Sequence, residues 1–267
     1  MLAMTDFMPV PKSNLNEVME YVVSCIDNRK TLSEFEYHSY MRLSDTIYDD
    51  SRRLVSKALV SGAAGKSEDA IAFFEKSIMF QDAFADRNYL AYLLLICRYD
   101  LYCEAVFRVA KSRDSCELCR EARDAAYASG NVEYGLFFAR KAASLITDDV
   151  VKGGFMAQSK NNAEMIESFM SLSGLSQEDI SVLTMTGVKI AKEKSIPFTG
   201  VEYYISSDLV DLAMIMYVFC DDIEVMSDMD IELAFNLIES EKLAHYKGTA
   251  WFRTSKKEGE KRIEYYQ

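Results

Sequence analysis

Proline is scarce in this sequence, with three residues (Pro9, Pro11 and Pro197) in a chain of 267. The whole interval from 12 to 196 is proline-free, as long helices require, because a proline inside a helix costs about 3 kcal/mol. Glycine is sparse too, with 11 residues, and no Asn-Gly or Asp-Gly hairpin turn occurs. Both shortages speak against a turn-rich all-β protein. With two histidines, His38 and His245, most acid–base and nucleophilic schemes lose their usual proton carrier. There is no Gly-rich phosphate loop, no Gly-x-Ser-x-Gly elbow and no His-Glu-x-x-His. Basic residues are the minority, 30 Lys+Arg against 42 Asp+Glu for a net charge of −12. That balance disfavours nucleic acid as a partner, since neutralising phosphates needs clustered Lys and Arg. The longest apolar run, Leu209 to Phe219, is short and carries Asp211, well below the ~18 residues a spanning helix needs. The start, MLAMTDFMPVPK, shows neither a basic leader with an apolar stretch nor a cleavage site. Six cysteines in that setting are expected to be reduced thiols. These absences lead to the expectation of a soluble cytoplasmic protein with no cofactor and no membrane insertion.

What is present is material for a core: 49% hydrophobic and 12% aromatic residues, which excludes disorder. Short polar residues followed three later by Glu mark helix starts. Such pairs are Asn14 with Glu17, Thr31 with Glu34, Asp114 with Glu117, Asn161 with Glu164, and Thr199 with Glu202. Apolar stripes at helical spacing agree, as in Leu15, Val18, Met19, Val22 and Ile26, or Leu54, Val55, Ala58 and Leu59. Further helices are predicted over 67–81, 87–100, 101–112, 115–129, 131–147, 161–172, 177–194, 207–220 and 229–245. No sustained alternation of apolar and polar residues appears. The predicted class is all-α.

Residues 65–80 read GKSEDAIAFFEKSIMF and residues 130–145 read GNVEYGLFFARKAASL. In each, a Gly precedes a small residue by five (Ala70, Gly135). A contact position follows four later (Phe74, Ala139), then a small residue after three more (Ser77, Ala142). Ala105, Val109 and Ser112 repeat this spacing between them. The Gly permits a tight turn between antiparallel helices, and the small residues let the second helix lie close to the first. Over Arg53–Thr147 the chain resembles the tetratricopeptide repeat family, whose helix–turn–helix units recur at about 34 residues. The first unit has Ser61 where the family has an aromatic, the middle unit lacks its turn Gly, and no proline closes a unit. The resemblance implies an α-solenoid of antiparallel helix pairs that binds a protein segment. The expected organisation is capping helices over 1–50, repeats over 51–147 and further hairpins over 148–245. A basic aromatic tail over 246–267 ends the chain. The segment KEKSIPFTG (192–200) is the best internal boundary.

Several clusters invite chemistry. Cys116 and Cys119 form a CxxC at a helix start, yet the thioredoxin-like context is missing, and Cys97 and Cys103 do not complete a common zinc spacing. Asp228, Asp230, Glu232 and Glu239 mimic a calcium loop, but Leu233 stands where that loop needs Gly. They are expected to cap and complement a helix start instead. His38 is expected on a surface or interface, and His245 near a helix C-terminus, where a partly cationic ring suits the dipole. Aromatics abound, and Tyr92, Tyr99 and Tyr102 fall on predicted repeat helices, with Tyr92 and Tyr99 two turns apart on one face. Such rings serve either as inter-helix core or as the lining of a concave binding face.

Charge is unevenly placed. From Ser195 to Glu241 there are eleven acids and no Lys or Arg, among them Asp221, Asp222, Glu224, Asp228 and Asp230. The last 26 residues carry seven bases against three acids, with Trp251, Phe252, Tyr265 and Tyr266 interleaved. Residues 1–194 are left with −5. The acidic stretch reads either as a solvated helix face that attracts the basic tail, or as a docking surface for a basic partner. The functional expectation is a non-enzymatic interaction protein, an adaptor, chaperone or regulator, with a protein or peptide as its partner. Tyr92, Tyr99, Tyr102, Asp221, Asp222, Glu224, Asp228 and Asp230 are the candidate contact residues. The alternative is an all-α metal-dependent protein or enzyme using the acidic or cysteine clusters.

Overall fold

A computed structural model describes residues 14–255. The chain divides into two compact units, with the boundary between Tyr89 and Leu90.

The first unit holds α1 (Asn14–Asp27), α2 (Glu34–Asp45), α3 (Asp50–Ala63), α4 (Ser67–Ser77) and the start of α5 (Ala83–Leu95). Ser33 and Glu36 form a reciprocal capping box at α2, and the Asp49 carboxylate caps α3 by accepting the Arg52 amide. Each satisfies amides that a helix start leaves without partners. Both α1 and α2 pack on α3, which packs on α4. Val22, Val55, Ala58, Val60, Ala70 and Phe74 are buried there, and Phe74 stacks on Tyr89 at 5.3 Å between ring centroids.

The second unit continues with α6 (Tyr99–Ser112), α7 (Cys116–Ala128), α8 (Val132–Ser144), α9 (Asp149–Ser173) and α10 (Gln177–Glu193). Consecutive helices from α6 to α9 pack on one another. Then come β1 (Phe198–Ile205), β2 (Leu212–Val218), α11 (Ile223–Glu239) and β3 (Thr249–Thr254). The central strand β2 is antiparallel to β1 and parallel to β3, with α11 as the crossover.

The fold is therefore dominated by helix but is not all-α. The predicted helix over 207–220 is largely strand β2, and the Thr199–Glu202 pair lies inside β1. The reason is burial on both faces of β2: Leu212 to Met216 and Val218 are all buried. A continuous apolar run of this kind has no period and reads the same as a buried helix. Ser195 takes a left-handed φ of 57° after α10, so KEKSIPFTG is a helix-to-strand junction.

Other caps also lie away from their expected places. Asn161 and Glu164 are in the middle of α9, whose start is capped by Asp148. The box at α2 is Ser33–Glu36, not Thr31–Glu34, and Ser115 rather than Asp114 caps α7. The side chains of Asn14 and Glu17 lie outside the described residues. Single polar–Glu pairs are common by chance, and the backbone turn preceding the helix selects among them.

Three helix–turn–helix connections share one geometry. Gly65, Cys97 and Gly130 take left-handed φ of 73°, 58° and 71°. The following amides of Lys66, Arg98 and Asn131 reach back to Ser61, Leu93 and Ala126 at 2.8–2.9 Å, the closure of a Schellman helix end. A cysteine thus holds the place where the middle unit has no glycine. These turns stand 32 and 33 residues apart. Counted from them, the second helices bury Ala70, Phe74 and Ser77, then Tyr102, Val106 and Val109, then Gly135, Ala139 and Ala142. The middle register is thus three residues earlier than the expected Ala105, Val109 and Ser112, because Ser112 is exposed. At Gly135 the absence of a side chain is a packing requirement, since a Cβ there would overlap the Tyr127 ring. Tyr127 in turn donates its hydroxyl to the Ser159 carbonyl at 2.8 Å, tying α7 to α9.

Among the described residues no helix is long and apolar enough to cross a membrane.

Candidate functional site

A cleft of about 620 Å3 opens in the second unit between β1 and the helices α6, α7 and α9. Tyr99 and Tyr102 come from the first turn of α6, where three-residue spacing puts them on one face. Their rings stack at 5.5 Å, and Tyr99 meets Phe198 of β1 edge-on at 4.8 Å. The neighbouring helix α7 contributes Glu121, Asp124 and Tyr127, and β1 contributes five consecutive residues from Thr199 to Tyr203.

The polar groups are held in place. Tyr102 donates to Glu121 Oε2 at 3.5 Å, and Tyr217 donates to Glu202 Oε2 at 2.5 Å. Tyr203 donates to the Tyr127 carbonyl at 2.8 Å, fastening β1 to the end of α7. Burial holds the phenols of Tyr99, Tyr102 and Tyr203 above their ordinary pKa, so they remain neutral donors across the physiological range. Asp124 opens to the cleft, yet protein on its other sides partly desolvates it and raises its carboxyl, against the pull of Arg123 at 2.8 Å. The Arg123 guanidinium also bonds Ser159 Oγ at 3.0 Å and lies over Phe155. Among the described residues no lysine, arginine or histidine lines the cleft. Ser255 lines it with a buried Oγ that has no hydrogen-bond partner among the described residues.

β1 is an edge of the sheet: it pairs with β2, and among the described residues no strand pairs with its other side. An open strand edge presents unpaired amides and carbonyls that can pair with an extended chain. Carboxylates and tyrosine faces suit a positively charged group, and Asp124 already has one in Arg123. Chemically, the cleft offers carboxylate acceptors, phenol donors and the edge of a strand.

The eight candidate residues separate into three groups. Tyr99 and Tyr102 line the cleft. Tyr92 is fully buried in α5 and does not share a helix face with Tyr99, because the left-handed turn at Cys97 ends one helix and Tyr99 begins the next. The five acids gather at the N-terminal half of α11, away from the cleft lining. Two of them serve the fold. Asp222 caps α11 by accepting the Glu224 and Val225 amides, and Asp230 accepts the Phe252 amide of β3 at 2.6 Å. Burial raises the Asp230 carboxyl even so. Asp221, Glu224 and Asp228 are exposed.

Sequence reasoning missed Glu121, Asp124, Glu202, Tyr203 and Tyr217 as cleft residues. The one available signal was Tyr203-Tyr204 beside Glu202, a β-prone pair that competes with the helix-start pattern of Thr199 and Glu202. The other clusters carry less. Among the described residues, no three His, Cys, Asp or Glu side chains group to hold a metal ion. The calcium-like residues from Asp228 to Glu239 are all within α11. All six cysteines are free, and burial pushes the Cys103 thiol up to about 12 and raises that of Cys119. Neither is a ready thiolate. His38 is exposed beside Glu34 at 3.5 Å. His245 stands beyond the end of α11, in the turn leading to β3, with Asp179 at 3.7 Å. The tail residues 256–267, including Tyr265 and Tyr266, lie outside the described residues.

Comparison with protein-family models, curated proteins and solved structures finds no match for this chain. What the fold itself defines is a helix-dominated protein with recurring helix–turn–helix connections and a small mixed sheet.

Proposed function

We propose that this protein is a non-enzymatic interaction module that takes an extended, basic segment of a partner protein into the cleft beside β1. The segment pairs with the free edge of β1 and places a lysine or arginine side chain among the tyrosines and carboxylates. One observation carries this reading: a cleft lined by Glu121, Asp124 and Glu202 together with five tyrosines, and by no cation among the described residues. In this reading the turns at 65, 97 and 130 are helix–turn–helix connections of the tetratricopeptide kind. A cytoplasmic location accords with six free cysteines.

Titration calorimetry with short extended peptides tests the proposal. A peptide with a central Arg-x-Lys is expected to bind with a Kd of about 1–100 μM and to weaken at least about tenfold when both bases become glutamine. Glu121→Gln with Glu202→Gln should cost a similar factor. Equal binding of basic and neutral peptides, or none up to millimolar concentration, would remove the proposal.

A further inference from the structure

The helix α11 is amphipathic in an unusual sense. Its inward side is fixed by Met229 and Leu233, both fully buried, where it packs on β3 and α10. Its outward side is apolar too. Ile223 is 75% exposed, Ile231 57%, Phe235 61% and Ile238 79%. Residues 231, 235 and 238 follow the i, i+4, i+7 rule for one helix face, and 223 stands two turns earlier on the same side. The continuous part of the stripe, from Ile231 to Ile238, is about 10 Å long at 1.5 Å per residue, the length of two turns of a partner helix. A large apolar face left to solvent on an otherwise charged surface marks an interaction site.

The flank says what kind of partner. Glu224 lies in the stripe, and Asp228, Glu232 and Glu239 follow along one side of it. The helix contains no lysine or arginine. Glu232 meets Lys194, which caps the end of α10, at 3.3 Å, while Glu224, Asp228 and Glu239 are exposed to solvent. A second copy packing α11 on α11 would bring carboxylates together with no cation from either helix. An anionic membrane would meet the same repulsion.

We infer that the outward face of α11 docks an amphipathic helix of a partner protein, with apolar anchors over Ile231, Phe235 and Ile238 and basic residues against Asp228 and Glu239. This rests on the reading of the chain as an interaction protein but uses a different surface from the cleft. The partner helix is recognised by the helix-in-groove mode, in which residues at i, i+3, i+4 and i+7 supply the anchors.

The test uses the full chain and two synthetic helical peptides of about 18 residues with the same leucine face, one flanked by lysine and one by glutamate. Fluorescence anisotropy should show the lysine peptide binding at least about tenfold more tightly than the glutamate peptide. The double variant Ile231→Ser, Phe235→Ser changes exposed side chains, and circular dichroism checks its fold. It should weaken lysine-peptide binding at least about tenfold. Asp228→Lys with Glu239→Lys should invert the peptide preference. The cleft variant Glu121→Gln with Glu202→Gln should leave this binding unchanged, so failure of the cleft proposal and failure of this one are told apart. Equal binding of the two peptides, or unchanged binding by the serine variant, overturns the inference. So does sedimentation showing that the parent chain dimerises and the serine variant does not, which gives the face to a second copy. Retention on phosphatidylserine vesicles that the serine variant loses would overturn it too, giving the face to a lipid surface.

Discussion

The helix–turn–helix stretch and the three-stranded sheet are held together in different ways. In the stretch, each turn closes over five residues: Lys66 to Ser61, Arg98 to Leu93, Asn131 to Ala126. Small or apolar residues at fixed distances from the turn then set how close the second helix lies. In the sheet, the decisive contacts are remote. Tyr203 is bonded to the Tyr127 carbonyl 76 residues away, and Asp230 to the Phe252 amide 22 residues on. Met216 has Val201 and Phe252 as strand partners, and Gly187 of α10 lies against it. A local closure tolerates chemical exchange as long as the backbone angle is kept. A remote junction depends on every element that meets there.

Substitutions can push on that contrast. The largest effect is expected at the sheet. Met216→Ala empties a fully buried site on the central strand, and should cost about 2–5 kcal/mol. The sole tryptophan, Trp251, is in β3, so the urea midpoint of its fluorescence reads the loss directly. Next comes Gly135→Ala, whose new methyl group overlaps the Tyr127 ring. Overpacking of this kind costs about 1–3 kcal/mol. If Trp251 fluorescence and helical circular dichroism shift together, helices α6–α10 and the sheet unfold as one cooperative body. If the dichroism alone shifts, the two regions are separate foldons. The smallest effect is expected at Cys97. Cys97→Gly should change stability by less than about 1 kcal/mol, since glycine suits the left-handed turn and offsets the lost thiol packing. Cys97→Val should lose more than about 1 kcal/mol, because a β-branched residue at positive φ is strained. Thermal unfolding distinguishes the pair, and equal effects would show that Cys97 is not an equivalent of Gly65 and Gly130.

The same contrast explains which features were legible beforehand. Helices around Ser67–Ser77, Cys116–Ala128, Val132–Ser144 and Gln177–Glu193 follow from apolar period and from the turn glycines at 65 and 130. Their signals lie within one turn of the residues concerned. The middle turn was hidden because Cys97 takes a glycine conformation without being glycine. The cleft was half legible. Tyr99 and Tyr102 stand out on a helix, but Glu121, Glu202 and Tyr217 come from three elements that meet only in the folded chain.

Acidity shows the division most clearly. Eleven acids and no base between 195 and 241, and a mostly helical chain, are settled along the chain itself. These are matters of composition and period. Tertiary structure alone decided that β2 is a strand, because its apolar run has no period until neighbours cover both faces. It also decided that Asp222 and Asp230 serve the fold while Asp228 and Glu239 remain on the surface. A carboxylate's role depends on whether an amide lies within hydrogen-bond reach, and for Asp230 that amide belongs to a strand 22 residues further along the chain.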